Sequence, residues 1–373
     1  MAALKTIPWW IPILGEREKQ LVSEVIDSNF INDGDYTTAF EQRIADLCGV
    51  PYAVAVTSGT AAIFLGLAAL NVGPGDDVIV PDITFIATAN AVSLTGAKPV
   101  LVDVCIDNFN IDPECVEAAV NEHTKAIIPV HVSGRGADLT ALLKIAQRFG
   151  LYVVGDAAEA LGSSFGGQPV TTFGDMNCLS FSSNKTITTG QGGMVVTANP
   201  TLHRRLRELK DQGRPVRGTG GADEHVSIGY NFKLTNIQAA IGLAQLESFS
   251  ARQKHLRHLF CMYRDYLADI PFVRLPRFDI EGGECPQWID AMVDNRDSLH
   301  DYLLARNIQT RKFWFPVHTQ APYKADDGRF PVSLQVSAKG LWLPSSLSLT
   351  GEDLEMVCRC INDWSRQTFT SII

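Results

Sequence analysis

Leu179-Ser180-Phe181-Ser182-Ser183-Asn184-Lys185-Thr186-Ile187-Thr188-Thr189-Gly190-Gln191-Gly192-Gly193-Met194-Val195-Val196-Thr197 holds a single lysine among nineteen residues. Its other members are apolar, hydroxylic, amide or glycine, and both ends have strand-forming character, so Lys185 is expected to be enclosed. Enclosure disfavours an ammonium ion and favours the neutral amine, the form that attacks an aldehyde to make a Schiff base. The same stretch also reads as a glycine-rich hairpin with a surface lysine, and two further segments bear on that choice.

Ala53-Val54-Ala55-Val56-Thr57-Ser58-Gly59-Thr60-Ala61-Ala62 passes from a short apolar strand through a hydroxylic turn into an apolar helix. Unpaired N–H groups at such a helix start, beside the Ser58 and Thr60 hydroxyls, suit a phosphate dianion. Leu151-Tyr152-Val153-Val154-Gly155-Asp156-Ala157-Ala158-Glu159-Ala160 reads as a buried strand with an acid at its carboxyl end, the end where open α/β sheets place ligands. A phosphate cradle, an acid able to face a pyridinium nitrogen and an enclosed lysine are the three parts of a pyridoxal phosphate site.

The chain resembles the DegT/DnrJ/EryC1/StrS family of sugar aminotransferases, pyridoxal phosphate enzymes of the aspartate-aminotransferase fold type I. The resemblance rests on Thr57 to Ala62, Gly73-Pro74-Gly75-Asp76-Asp77-Val78-Ile79-Val80-Pro81, Asp156 to Ala160, Asn184 to Gly190, and Gly229-Tyr230-Asn231-Phe232-Lys233-Leu234-Thr235-Asn236-Ile237-Gln238-Ala239-Ala240, in the family's order. Within the family the chain is most similar to the perosamine-forming branch, which aminates carbon 4 of nucleotide-linked 4-keto-6-deoxy sugars for polysaccharide or O-antigen synthesis. The resemblance implies that Lys185 carries the cofactor and moves the proton, and that Asp156 holds the pyridine nitrogen. Glu159 would lie near the phenolic oxygen and Phe85 on the ring. Ser58, Gly59, Thr60 and Ser180 would hold the phosphate, with Asn231 reaching it from the second subunit of a homodimer. His318 matches a segment that lines the sugar pocket, and His131 also has a counterpart.

L-Glutamate is the implied donor, with the cofactor passing through pyridoxamine phosphate between half-reactions. Both substrates then use one cleft, so one cation should meet first a carboxylate and later a diphosphate. Arg214, Arg217 and Lys233 are the candidates in this sequence. Lys233 stands where the family usually has arginine, Gln191 where it usually has glutamate, and Val132-Ser133-Gly134-Arg135 where the perosamine branch has leucine, tyrosine, glycine and histidine. These departures leave open a 3-keto sugar, a keto-inositol or an eight-carbon keto sugar acid as acceptor. Two non-transaminase readings also stand: a dehydratase, which Lys185 argues against because histidine replaces that lysine there, and a regulatory binding module.

Composition bounds the alternatives. At 373 residues, 46% apolar and 20% charged, the chain is an ordinary globular enzyme of about two domains. A net charge of −9 argues against nucleic acid or an anionic membrane as the main partner. The charge-free run between Asp46 and Asp76 is interrupted by Thr57-Ser58-Gly59-Thr60 and by Gly73-Pro74-Gly75, so a buried strand and helix explain it better than a membrane span. Eight cysteines without C-x-x-C spacing read as reduced cytoplasmic thiols, not metal ligands.

The alternation of strands at 78–81, 100–104, 126–130 and 151–154 with helices predicts an α/β fold with a mostly parallel sheet. The expected division is a large cofactor-binding domain over 1–248, with an N-terminal arm over 1–14, and a smaller α+β domain over 249–373. One long helix from Thr235 to about Asp269 would join them, and within the smaller domain Thr310 to Phe315 reads as a strand. The glycine-rich segment around Arg214 and Arg217 reads as a loop.

Overall fold

Ala53 and Ala55 pack into one apolar cluster while Val54 and Val56 pack into another, so the strand they share is covered on both faces. That strand is β1 (Tyr52–Val56), and the same alternation recurs in β2 (Asp77–Pro81), where Val78 and Val80 oppose Ile79. The chain continues through β3 (Lys98–Val102), β4 (Thr124–Ile127) and β5 (Tyr152–Asp156). A short hairpin, β6 (Ser164–Phe165) and β7 (Gln168–Pro169), precedes β8 (Met176–Ser180) and β9 (Gly193–Thr197). The computed structural model describes residues 5–216 and 223–369.

These strands form a seven-stranded sheet in the order β1-β9-β8-β5-β4-β2-β3. All neighbours are parallel except at β9, which runs antiparallel to both β1 and β8. The α/β class with a mostly parallel central sheet is therefore as expected. Helices Gly59–Ala69, Ala87–Leu94 and Pro200–Lys210 cover one face, and Asp35–Cys48, Leu139–Phe149 and Asn236–Glu247 pack on the other. Among the described residues, no helix is long and apolar enough to cross a membrane.

Four more strands, β10 (Val273–Arg274), β11 (Ile289–Val293), β12 (Arg311–Lys312) and β13 (Gly340–Leu343), make an antiparallel sheet in the order β10-β11-β13-β12. The first residues pack onto it: Ile7 bridges Ile308, and the Trp9 carbonyl accepts from Ser345 N–H at 2.9 Å. Two expectations are corrected. The long helix after Thr235 is two helices, Asn236–Glu247 and Phe249–Leu267, because Ser248 leaves helical geometry at φ −103°, ψ 4°. The strand expected over 310–315 is confined to Arg311 and Lys312; beyond it Trp314 and Phe315 line the outer cleft instead of pairing in the sheet.

The contact that fixes the start of helix Gly59–Ala69 is between backbones. A Cβ at Gly193 would stand 2.2 Å from the Ser58 carbonyl oxygen and 2.7 Å from Gly59 N, closer than real Cβ atoms come. Gly193→Ala should therefore lose about 1–3 kcal/mol of stability, the usual cost of overpacking. Gly351→Ala, with nothing within 4 Å of the added carbon, should stay close to wild type. Urea unfolding of both variants measures the difference.

Candidate active site

The carboxyl ends of β5 and β8 and the start of helix Gly59–Ala69 open into one cavity of about 570 Å³. Asp156 closes β5, Ser180 closes β8, and Ser58 caps the helix by accepting from Ala61 N–H at 3.1 Å. Gly59 lies so close to Ser180 that an added Cβ would be 3.0 Å from the serine Cβ. Ser58, Gly59, Thr60 and Ser180 all line the cavity, together with Phe85, Asp156, Glu159 and Lys185. Eight of the nine residues expected around the cofactor thus meet in one place. Phe85 is 54% exposed and lines the cavity.

Lys185 sits on the loop between β8 and β9, its side chain 11% exposed. Its Nζ donates to Glu159 Oε1 at 3.3 Å and lies 4.8 Å from the centre of the Trp288 ring. Burial pushes the Glu159 carboxyl above its ordinary range, against the pull of Lys185 and of the Ser133 N–H, which donates to Oε2 at 2.9 Å. Burial likewise raises Asp156, opposed by the Thr88 hydroxyl at 2.7 Å, the Ala158 N–H at 3.1 Å and the charge of Lys185. Two buried acids thus face one amine, and Asp156 has only neutral hydrogen-bond donors of its own. His131 is fully buried behind them, its Nδ1 accepting from Ala137 N–H at 3.1 Å, and burial lowers its pKa to about 4.

Several expected substrate residues lie elsewhere. His318 is wholly buried, its Nδ1 2.6 Å from Asp82 Oδ2 and its ring stacked on Phe330, so it braces the wall behind Thr84 and Phe85 and does not line the cavity. Lys233 is paired with Asp211 at 2.6 Å, and Arg214 donates to Asp223 at 3.0 Å; neither reaches the cavity of its own subunit. As cations of that cavity, both are corrected. Arg217 lies outside the described residues. Asn231 is exposed, bridges Asp211 and is absent from its own subunit's cavity.

The cation in the cavity is one the sequence reading passed over. Arg311 lies at its rim, stacked 5.0 Å from the Trp9 ring centre and 5.5 Å from that of Trp342. Among the described residues it makes no salt bridge and no side-chain hydrogen bond. A second cavity of about 310 Å³ continues outward from it, sharing Thr84, Phe85, Arg311 and Trp314 and adding Lys312 and the largely exposed Phe315. The signal in the sequence was two cations beside three aromatics, Arg311-Lys312-Phe313-Trp314-Phe315, which an edge strand with buried rings explains equally well.

Comparison with known proteins agrees with this geometry. The model of the DegT/DnrJ/EryC1/StrS aminotransferase family matches residues 12–362. GDP-perosamine synthase of Escherichia coli O157:H7 is 37% identical over 366 residues, covering 97% of this chain and 99% of that protein. The putative sugar aminotransferase Spr1654 of Streptococcus pneumoniae, solved in its PMP form, superposes with a TM-score of 0.92 at 27% identity, over 98% of this chain and 99% of that one. DesI, solved in the presence of its TDP-sugar product, gives 0.89 at 29% identity, over 97% and 93%. An enclosed lysine between two buried acids, a hydroxyl-lined helix start and a family match over nearly the whole length lead to one conclusion: the chain belongs to the DegT/DnrJ/EryC1/StrS aminotransferase family.

Proposed function

We propose that this enzyme uses pyridoxal 5'-phosphate to move an amino group from L-glutamate to carbon 4 of a nucleotide-linked 4-keto-6-deoxyhexose. The observation that carries the reading is the convergence of Lys185, Asp156, Glu159 and the Ser58-Gly59-Thr60-Ser180 cradle in one cavity. Similarity to a GDP-perosamine synthase and to an enzyme solved with a TDP-sugar product supports the acceptor class.

The residues fit the cofactor. Asp156 is a buried carboxylate without a hydrogen-bonded cation, which a pyridinium nitrogen would supply, and the exposed Phe85 offers an aromatic surface for the ring. Three hydroxyls and the first N–H groups of an eleven-residue helix suit the phosphate, and the close approach of Gly193 keeps that turn fixed. When bound, pyridoxal phosphate supplies an electron sink for the carbon that gains or loses its proton.

The protein's part is to hold charge and move protons. Asp156 favours a protonated ring nitrogen. Glu159 lies 3.3 Å from Lys185 Nζ, within reach to exchange a proton with the amine that attack and proton abstraction require. Trp288, 4.8 Å from the amine, and Trp10 give the cavity apolar walls, which limit the water that can reach the amine. Arg311 takes the anionic part of each substrate in turn, the glutamate carboxylate and then the sugar diphosphate, and its stacking on Trp9 and Trp342 holds the guanidinium without neutralising it.

A homodimer completes the reading. Leu14, Phe30, Ile31 and Ile228 are exposed apolar residues, and exposed Asn231 does not line its own cavity, as expected of a residue lent to a second copy. The free cysteines suit a reducing cytoplasm.

Lys185→Ala should fold and still bind the cofactor through the cradle, but lose turnover by about 10²–10⁴-fold or more. Wild-type turnover in that variant would overturn the assignment, as would the lack of a borohydride-trapped adduct on Lys185 in the native enzyme. Arg311→Gln should raise KM for the nucleotide sugar about 10–100-fold, the worth of one charged hydrogen bond, with a smaller effect on kcat. Sedimentation should give a dimer, and Phe30→Glu should shift it towards an inactive monomer. Product masses from a panel of keto sugars with glutamate as donor decide the acceptor: amination of free keto sugars or inositols alone would contradict both the diphosphate and carbon 4.

A further inference from the structure

The loop that carries Lys185 is gripped on both sides of the lysine by one side chain from the other sheet's part of the chain. Gln287 Oε1 accepts from the Thr186 N–H at 3.1 Å and from the Thr186 hydroxyl at 2.8 Å, while its Nε2 donates to the Asn184 carbonyl at 3.2 Å. Trp288 Nε1 donates to that same carbonyl at 3.2 Å. Gln287 itself is 4% exposed and does not line the cavity.

The main chain of Gln287 reaches the lysine's acid partner as well. Its N–H donates to the Ser133 carbonyl at 2.8 Å, and the Ser133 N–H donates to Glu159. Ser133 is held in the left-handed region, φ 52°, where serine is disfavoured. Its hydroxyl donates to Asp290 Oδ1 at 2.8 Å, and Asp290 is ion-paired with the buried guanidinium of Arg135. Arg135 and Ser133 are two of the residues that depart from the perosamine pattern. The segment 287–290 therefore touches both halves of the Lys185–Glu159 pair: the lysine loop through the Gln287 amide, the glutamate through Ser133.

We propose that Gln287 is a positioning residue that sets the reach of Lys185 Nζ to Glu159, with Ser133, Asp290 and Arg135 as its fixed base. The inference rests on Lys185 being the reactive amine. The chemistry selects an amide, since the grip needs an acceptor towards residue 186 and a donor towards residue 184 on one planar group. A carboxylate offers only the first and an aliphatic side chain neither. Losing the grip frees the loop at the amine, and misplacement of a reacting group by about 1 Å costs on the order of 10²-fold in rate.

The test compares Gln287→Ala and Gln287→Glu with wild type. In the cofactor-free proteins, hydrogen exchange at the Thr186 amide should speed up about tenfold or more in Gln287→Ala, stay near wild type in Gln287→Glu, and leave β8 unchanged. In the holoenzymes, kcat for Gln287→Ala should fall about 10–100-fold. KM for glutamate should change less than about twofold, since binding common to ground and transition states is kept. The pH midpoint of the visible band of the Lys185-held cofactor should shift, and Gln287→Glu should recover part of kcat. Wild-type exchange at Thr186, or a loss of activity that only follows the folded fraction with an unmoved midpoint, would overturn the proposal. If Gln287→Ala does not fold, Gln287→Glu decides alone: loss of Thr186 protection in that variant contradicts the acceptor role. The exchange arm needs no cofactor, so it can fail or succeed independently of the absence of a trapped adduct on Lys185, which would sink the functional reading instead.

Discussion

Asp156, Glu159 and Lys185 are almost entirely withdrawn from solvent, the two acids 6–7% exposed and the lysine side chain 11%, and the molecule is built so that this burial is useful. Burial raises both acids, so neither holds its charge without help, and the help comes from a few fixed donors: Thr88 and Ala158 for Asp156, Ser133 and Lys185 for Glu159. A surface pair of the same kind would be solvated and worth little. Here Glu159 commits one oxygen to the Ser133 N–H and the other to Lys185, which leaves it sensitive to the protonation of a single amine, whereas both oxygens of Asp156 accept from neutral donors, which leaves it in want of a cation.

Such an arrangement requires rigid supports, and they come from backbone placement. Parallel pairing of β5 with β4 and β8 brings Asp156 and Ser180 to the same edge of the sheet, where the main chain turns away and leaves a crevice. The antiparallel return of β9 brings Gly193 against Ser58, pinning the helix start that faces the crevice from the other side. Roof and far wall come from the antiparallel sheet and the N-terminal segment, where Trp9, Trp288 and Trp342 pack together with ring centres 5.0–6.0 Å apart. Their contact carries Arg311 to the rim and Gln287 to the lysine loop, so residues far apart in the chain are held to a common frame.

The parts set by local chemistry were legible in the chain. A two-residue period wrote the covered strands β1 and β2, hydroxyls at a strand-to-helix turn wrote the phosphate cradle, and a lone lysine in an uncharged stretch wrote its own enclosure. Each depends on neighbours within a few residues, and burial of the apolar faces leaves little choice of register. The polar residues outside these patterns were not legible. His318 was expected in the sugar pocket from the family resemblance, and Lys233 and Arg214 because the cleft needs a cation; what they do depends on Asp82, Asp211 and Asp223, and for His318 and Lys233 these partners are distant in sequence.

The sequence by itself determined the α/β class, the covered sheet, the cradle, the lysine and the acid that closes β5, because periodicity and turn chemistry act over short stretches; Glu159 was named through the family resemblance. The tertiary structure alone decided which cation faces the cavity and what holds the lysine in place. Arg311 has no carboxylate partner among the described residues and lies over the Trp9 and Trp342 rings, and Gln287 can grip residues 184 and 186 since the antiparallel sheet's segment passes beside that loop. Long-range packing sets those contacts, and an isolated arginine or glutamine in the chain carries no local pattern that distinguishes it from a solvated one.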